Sequence, residues 1–141
     1  GETKESCCAE VEDCLKRAGI KVGKEIGEAQ ITVLHYDETA WTGTKYGMEK
    51  YFPTWKLPES EHVVQTGVKA YKELYGKAPK VDKWTFSTNG VTINGVHKIP
   101  MIGFGPGNEV LAHFPNEKCA VDDLEMASAF YAQYAWNIAH K

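Results

Sequence analysis

Apolar residues recur at helical spacing over residues 3–18, at Cys7, Val11, Cys14, Leu15 and Ala18, and Gly19 follows as a natural stop. Residues 30–36 are rich in β-branched side chains, which predicts a strand with Ile31 and Val33 on one face. No sustained period runs through residues 37–57, where Trp41, Tyr46, Tyr51, Phe52 and Trp55 gather; an ordered connection with aromatic packing at a junction is predicted. Helical spacing returns over residues 60–75, with Ser60 as N-cap, Val64, Val68, Tyr71 and Tyr75 on one face, and Gly76 and Pro79 as terminators. Residues 83–87 and 100–104 read as short buried strands. Between them, Thr88-Asn89-Gly90 and Asn94-Gly95 carry the local signal of hairpin turns. Asp122 and Glu125 predict a capping box for a last helix through Ile138, with Leu124, Ala127, Tyr131, Tyr134 and Ile138 facing inward.

The order is helix, strand, connection, helix, strand, strand, helix, which suits an α/β fold. The first helix and strand are too little to bury a core of their own, so half of one domain joined to half of another is expected. The length of 141 residues with 43% hydrophobic content allows one core. No apolar run approaches the roughly 20 residues of a membrane span, and the first six residues lack the basic start and apolar stretch of a targeting segment. A cytoplasmic protein with no membrane partner is expected. A formal net charge of −3 gives no reason to expect a nucleic-acid partner. The four cysteines, Cys7, Cys8, Cys14 and Cys119, include no C-x-x-C pair and read as thiols, three of them on one helix.

Chemistry concentrates in Gly103-Phe104-Gly105-Pro106-Gly107-Asn108-Glu109 and the following Ala112-His113-Phe114-Pro115-Asn116-Glu117. Glycines let backbone approach a ligand, and Pro115 disfavours helix at Phe114, so His113 and Glu117 are not expected to share a helix face. Taken alone, a loop histidine is more often held by structural hydrogen bonds than by a metal. The other histidines form no H-E-x-x-H or His-x-Asp pattern, and a zinc site needs three or four ligands. Pro106, Asn108 and Glu109 break both the dinucleotide fingerprint and the P-loop pattern.

Trp84 to Gly90, Ile99-Pro100, Ile102 to Gly107, Ala112-His113 and Pro115-Asn116-Glu117 together resemble the closing part of the catalytic domain of the acetylornithine deacetylase and succinyl-diaminopimelate desuccinylase family. That family also contains aminoacylases and carboxypeptidases. Gly1-Glu2-Thr3 with the first helix resembles the second helix of the family's inserted dimerisation lid, and residues 30–36 its final strand. Glu49 to Trp55 is most similar to the branch of selenium-metabolism-linked hydrolases. The resemblance implies a phosphorylase/hydrolase-like catalytic domain with a largely parallel sheet over residues 41–141, preceded over residues 1–40 by the last helix and strand of a ferredoxin-like lid. It replaces the hairpin after Thr88-Asn89-Gly90 with a helix.

The same resemblance implies that His113 is the final metal ligand, that Thr88, Asn89 and Gly90 form the substrate-carboxylate loop, and that Asn108 also holds substrate. Two zinc ions would act in the complete enzyme, with weak or no zinc binding by this chain alone. The family's other ligands and its general base have no counterpart here. The expected function is a fragment of a zinc-dependent amide-bond hydrolase acting on a small N-acyl amino acid or dipeptide-like substrate. Its partners would be the missing amino-terminal part of the same enzyme and, as a homodimer, a second copy. The alternative is a non-catalytic α/β binding or oligomerisation module. Thr88, Asn89, Gly90 and His113 are expected to converge at the carboxyl ends of the two strands.

Overall fold

A computed structural model describes residues 2–140; Gly1, where the resemblance to the lid begins, lies outside them. Contacts divide the chain into two compact units, one holding the chain up to Trp55 with Ser87–Lys98, the other Lys56–Phe86 with the chain from Ile99 on.

In the first unit, α1 (Lys4–Arg17) starts at a capping box. Thr3 Oγ1 accepts from the Ser6 N–H at 3.1 Å and Ser6 Oγ accepts from the Thr3 N–H at 2.9 Å. Ala18 caps its other end and Gly19 follows with φ +75°. No residue of α1 is buried, and Cys7, Cys8 and Cys14 are free thiols.

Only the end of the predicted first strand forms a ladder. β1 (His35–Tyr36) pairs antiparallel with β2 (Met48–Glu49), His35 opposite Glu49 and Tyr36 opposite Met48. Ile31 and Val33 are half-buried and their neighbours exposed, so the predicted alternation holds beyond the ladder. The segment read as a connection is therefore a hairpin. At its tip the Gly43 N–H donates to Ala40 O at 2.8 Å, the Ala40 N–H to Thr44 O at 2.9 Å, and Gly43 adopts φ +83°. This is a three-residue loop with glycine at the left-handed position. Residues 35–50 are exposed on both faces, which removes the alternation that would betray strands in the sequence.

Val91–Val96 form one π-helical turn, so the hairpin suggested by Asn-Gly is overturned and the helix implied by the resemblance is present. Burial decides the outcome. A β-carbon on Gly90 would lie 2.6 Å from the Trp55 ring, and one on Gly95 2.8 Å from Pro53 O. Both glycines serve as sites of close packing and leave the hairpin turn unmade.

In the second unit, α2 (His62–Tyr75) packs on α3 (Val121–Ala139). Gly76 ends α2 at φ +67°, as predicted, but the N-cap is Glu61 and Ser60 makes no cap. Likewise α3 begins at Ala120 without the Asp122/Glu125 box; Asp122 and Asp123 instead place negative charge in its first turn. The buried stripe of α3 is Ala127, Phe130 and Asn137, whereas Leu124, Tyr131 and Ile138 are exposed. The stripe is turned because Phe130 stacks on Phe104 at 3.8 Å and Asn137 Nδ2 donates to Glu73 Oε2 at 2.8 Å. Gly67 of α2 lets Ile102 and Phe130 approach.

Residues 83–87 and 100–104 form no ladder, so the described residues contain a two-stranded antiparallel sheet and no parallel one. A short apolar segment becomes a strand only when a neighbour takes up its backbone N–H and C=O groups. Here the two segments meet through side chains, the Trp84 ring lying on the backbone of Gly103.

Candidate functional site

The Gly-rich loop leads into a 3₁₀ turn, Glu109–Leu111, capped by Asn108, whose Oδ1 accepts from the Val110 N–H at 3.0 Å. Glu109 then reaches back, and its Oε1 accepts from the Thr85 N–H at 2.9 Å. A charged acceptor on a backbone donor makes this a strong tether. It fixes the loop against the segment that carries Trp84 and Phe86.

His113 follows at φ +63°, in the left-handed region that non-glycine residues seldom enter. Its backbone N–H donates to Glu117 Oε2 at 3.0 Å, so Glu117 holds the strained residue through the main chain. As expected from Pro115, the two share no helix face. The imidazole is exposed and lies edge-on to Phe86, ring centres 5.7 Å apart. No hydrogen bond reaches its ring nitrogens among the described residues.

Three of the other four histidines are committed elsewhere, and His97 is exposed in the first unit. His35 Nδ1 pairs with Asp37 Oδ1 at 3.0 Å, His62 Nδ1 with Thr66 Oγ1 at 2.9 Å, and His140 stacks on Trp136 at 3.8 Å. Among the described residues no three His, Cys, Asp or Glu side chains gather to hold a metal ion. One oxygen of Glu117 is already engaged by the His113 amide. Within the second unit these residues leave one imidazole with open ring nitrogens, that of His113, and do not amount to a zinc site, so no chemical step through zinc follows from them.

Trp84, Phe86, the 105–109 loop, Ala112 and residues 117–119 line a cleft of about 440 Å³. Asn108 borders it. Thr88, Asn89 and Gly90 belong to the first unit. There Thr88 Oγ1 accepts from the Gly90 N–H at 3.1 Å, Asn89 is exposed and Gly90 is buried. The tether from Glu109 and the aromatic edge on His113 had no signal in the sequence beyond proximity of acidic and aromatic residues to the loop.

Residues 7–137 match the family described as Peptidase family M20/M25/M40. The chain belongs to this family. Over 104 residues, 74% of its length, it is 55% identical to "Uncharacterized protein YgeY" of Escherichia coli (strain K12), and equally to the protein of that name in Escherichia coli O157:H7. Those residues are 26% of each relative, so the chain spans about a quarter of their length. No solved structure matches the chain at a significant level. Helices with few strands accord with an α/β domain of the M20 family, and the match bears out, at the level of the superfamily, the resemblance carried by residues 84–117.

Proposed function

We propose that this chain is the carboxyl-terminal part of a zinc-dependent amide-bond hydrolase that acts on small N-acyl amino acids or dipeptide-like substrates. In this reading His113 gives one metal ligand, Thr88, Asn89 and Gly90 hold the substrate carboxylate, and Asn108 contributes a further contact. Residues 1–40 close a dimerising lid, residues 41–141 belong to the catalytic domain, and residues 83–87 and 100–104 join a parallel sheet completed by a preceding region. That region supplies the other ligands and the general base, and the assembled enzyme works in the cytoplasm. No helix among the described residues is long and apolar enough to cross a membrane.

The observation that carries the proposal is His113 itself. In a chain matched over residues 7–137 by a peptidase family, the loop holds this imidazole in a strained backbone, tethered by Glu117 and with its ring nitrogens open. Strain of this kind persists where surrounding structure enforces it, and it concentrates at functional sites.

The test is to produce the chain alone and joined to the preceding region, then measure bound zinc and hydrolysis of N-acetyl amino acids. The joined protein is expected to bind zinc and turn over, and the chain alone to do neither. In the joined protein His113→Ala should lower zinc affinity and turnover together, by more than the roughly 10–100-fold typical of losing an outer partner of a ligand. Zinc-dependent activity of the chain alone that survives His113→Ala would overturn the assignment.

A further inference from the structure

The cleft of about 440 Å³ in the second unit falls in the size range of small-ligand sites, and its lining is chemically uneven. Trp84 and Phe86, two residues apart, leave 51% and 45% of their surfaces open. The loop contributes Gly105, Pro106 and Gly107, and the two glycines put no side chain into the space. A β-carbon built on Gly105 meets nothing within 4 Å, and Gly105 has none of the left-handed φ that would resist substitution.

Charge narrows the ligand. Glu109 and Glu117 stand at the rim with Lys118, two carboxylates against one ammonium. Each carboxylate already accepts a backbone N–H, from Thr85 and His113. Lys118 forms no ion pair among the described residues. The residual charge is negative, which disfavours an anionic group, while the two half-exposed aromatic rings favour a flat apolar one. An aliphatic group as small as a methyl would leave both rings in contact with water.

We propose that this cleft binds an aromatic side group of the substrate, stacked against Trp84 and Phe86, and so selects aromatic over small aliphatic N-acyl amino acid derivatives. The word substrate rests on the amide-hydrolase reading; the binding is a property of this chain. Trp84 and Phe86 act here as specificity-determining residues, and Gly105 keeps the space open.

Neutral probes avoid the charge at the rim. N-acetyl-L-phenylalaninamide should bind the chain about tenfold more tightly than N-acetyl-L-alaninamide in calorimetric titration, and should change the tryptophan emission. The emission change should vanish in Trp84→Phe, which keeps an aromatic wall. Gly105→Leu should abolish binding of the phenyl probe while leaving the circular dichroism unchanged. Equal binding of the two probes, or a folded Gly105→Leu that still binds the phenyl probe as the parent does, would overturn the proposal. Should Gly105→Leu fail to fold, the comparison of probes on the parent chain decides. The two readings separate cleanly. Gly105-dependent binding without any hydrolysis by the joined protein sinks only the catalytic reading, whereas hydrolysis indifferent to phenyl or methyl sinks only the cleft.

Discussion

A methyl group added at Gly67, Gly90 or Gly103 would strike a side chain at 2.6–2.7 Å, yet the consequences differ with what is struck. At Gly67 it is the terminal carbon of Ile102, which can swing aside, and alanine improves helix propensity by about 1 kcal/mol. Gly67→Ala should therefore lie within about 1 kcal/mol of the parent in urea unfolding. At Gly90 the obstacle is the rigid ring of Trp55, and Gly90→Ala should cost about 1–3 kcal/mol by the same measurement. Residues of this kind were only partly legible in the sequence. The motif around His113 marked it as a ligand candidate, but its left-handed backbone and the Glu117 tether arise from loop closure, which no local pattern encodes.

Among the elements, all three long helices were legible because helical spacing and glycine stops are local signals. Their facing was not. Phe130 was missed on α3 because the buried stripe follows Phe104 and Glu73, partners distant in sequence. Glu73 accepts from Asn137 at 2.8 Å and Gln133 at 3.0 Å, and the Asn137 bond, more than Lys69 nearby, holds its carboxyl below the ordinary value. A lowered folded value means that the unfolded chain takes up the proton more readily. The bond thus stabilises the α2–α3 pair above the ordinary carboxylate range and is lost as pH falls through the lowered value. Glu73→Gln, an isostere of the protonated acid, should lower the melting temperature near neutrality, converge on the parent at low pH and so flatten that acid limb in thermal melts across pH. In the hairpin, Gly43→Val places a branched residue at φ +83° and should cost about 1 kcal/mol or more. Faster exchange of the Lys50 amide, which donates to Leu34 O at 2.7 Å, would report it.

Across the whole molecule, few large side chains are covered. The buried hydrophobics among the described residues are Val64, Ala70, Ala127 and Phe130, whereas Val110, Phe114, Val121 and Trp136 are each at least 60% open. Open apolar surface is found at contacts with further protein, and the proposed preceding region would cover it. The chain alone should bind an apolar dye such as anilinonaphthalene sulfonate and unfold in urea with a slope below the roughly 1–3 kcal/mol/M of small domains. Joining it to the preceding region should suppress the dye signal. On the proposed reading the preceding region would also supply the backbone partners for residues 83–87 and 100–104, which are strand-like in composition and carry no ladder. The turn at Asn89-Gly90 adds a chemical record of this marginal state. Asparagine before glycine ages by attack of the next backbone nitrogen on its side-chain amide, giving a succinimide and then aspartate or isoaspartate. In the folded turn that nitrogen is occupied by Thr88 Oγ1 and pinned beneath Trp55. Isoaspartate at position 89 should therefore accumulate only during excursions from the native state, and its slow rise in stored protein would time how long each molecule has spent unfolded.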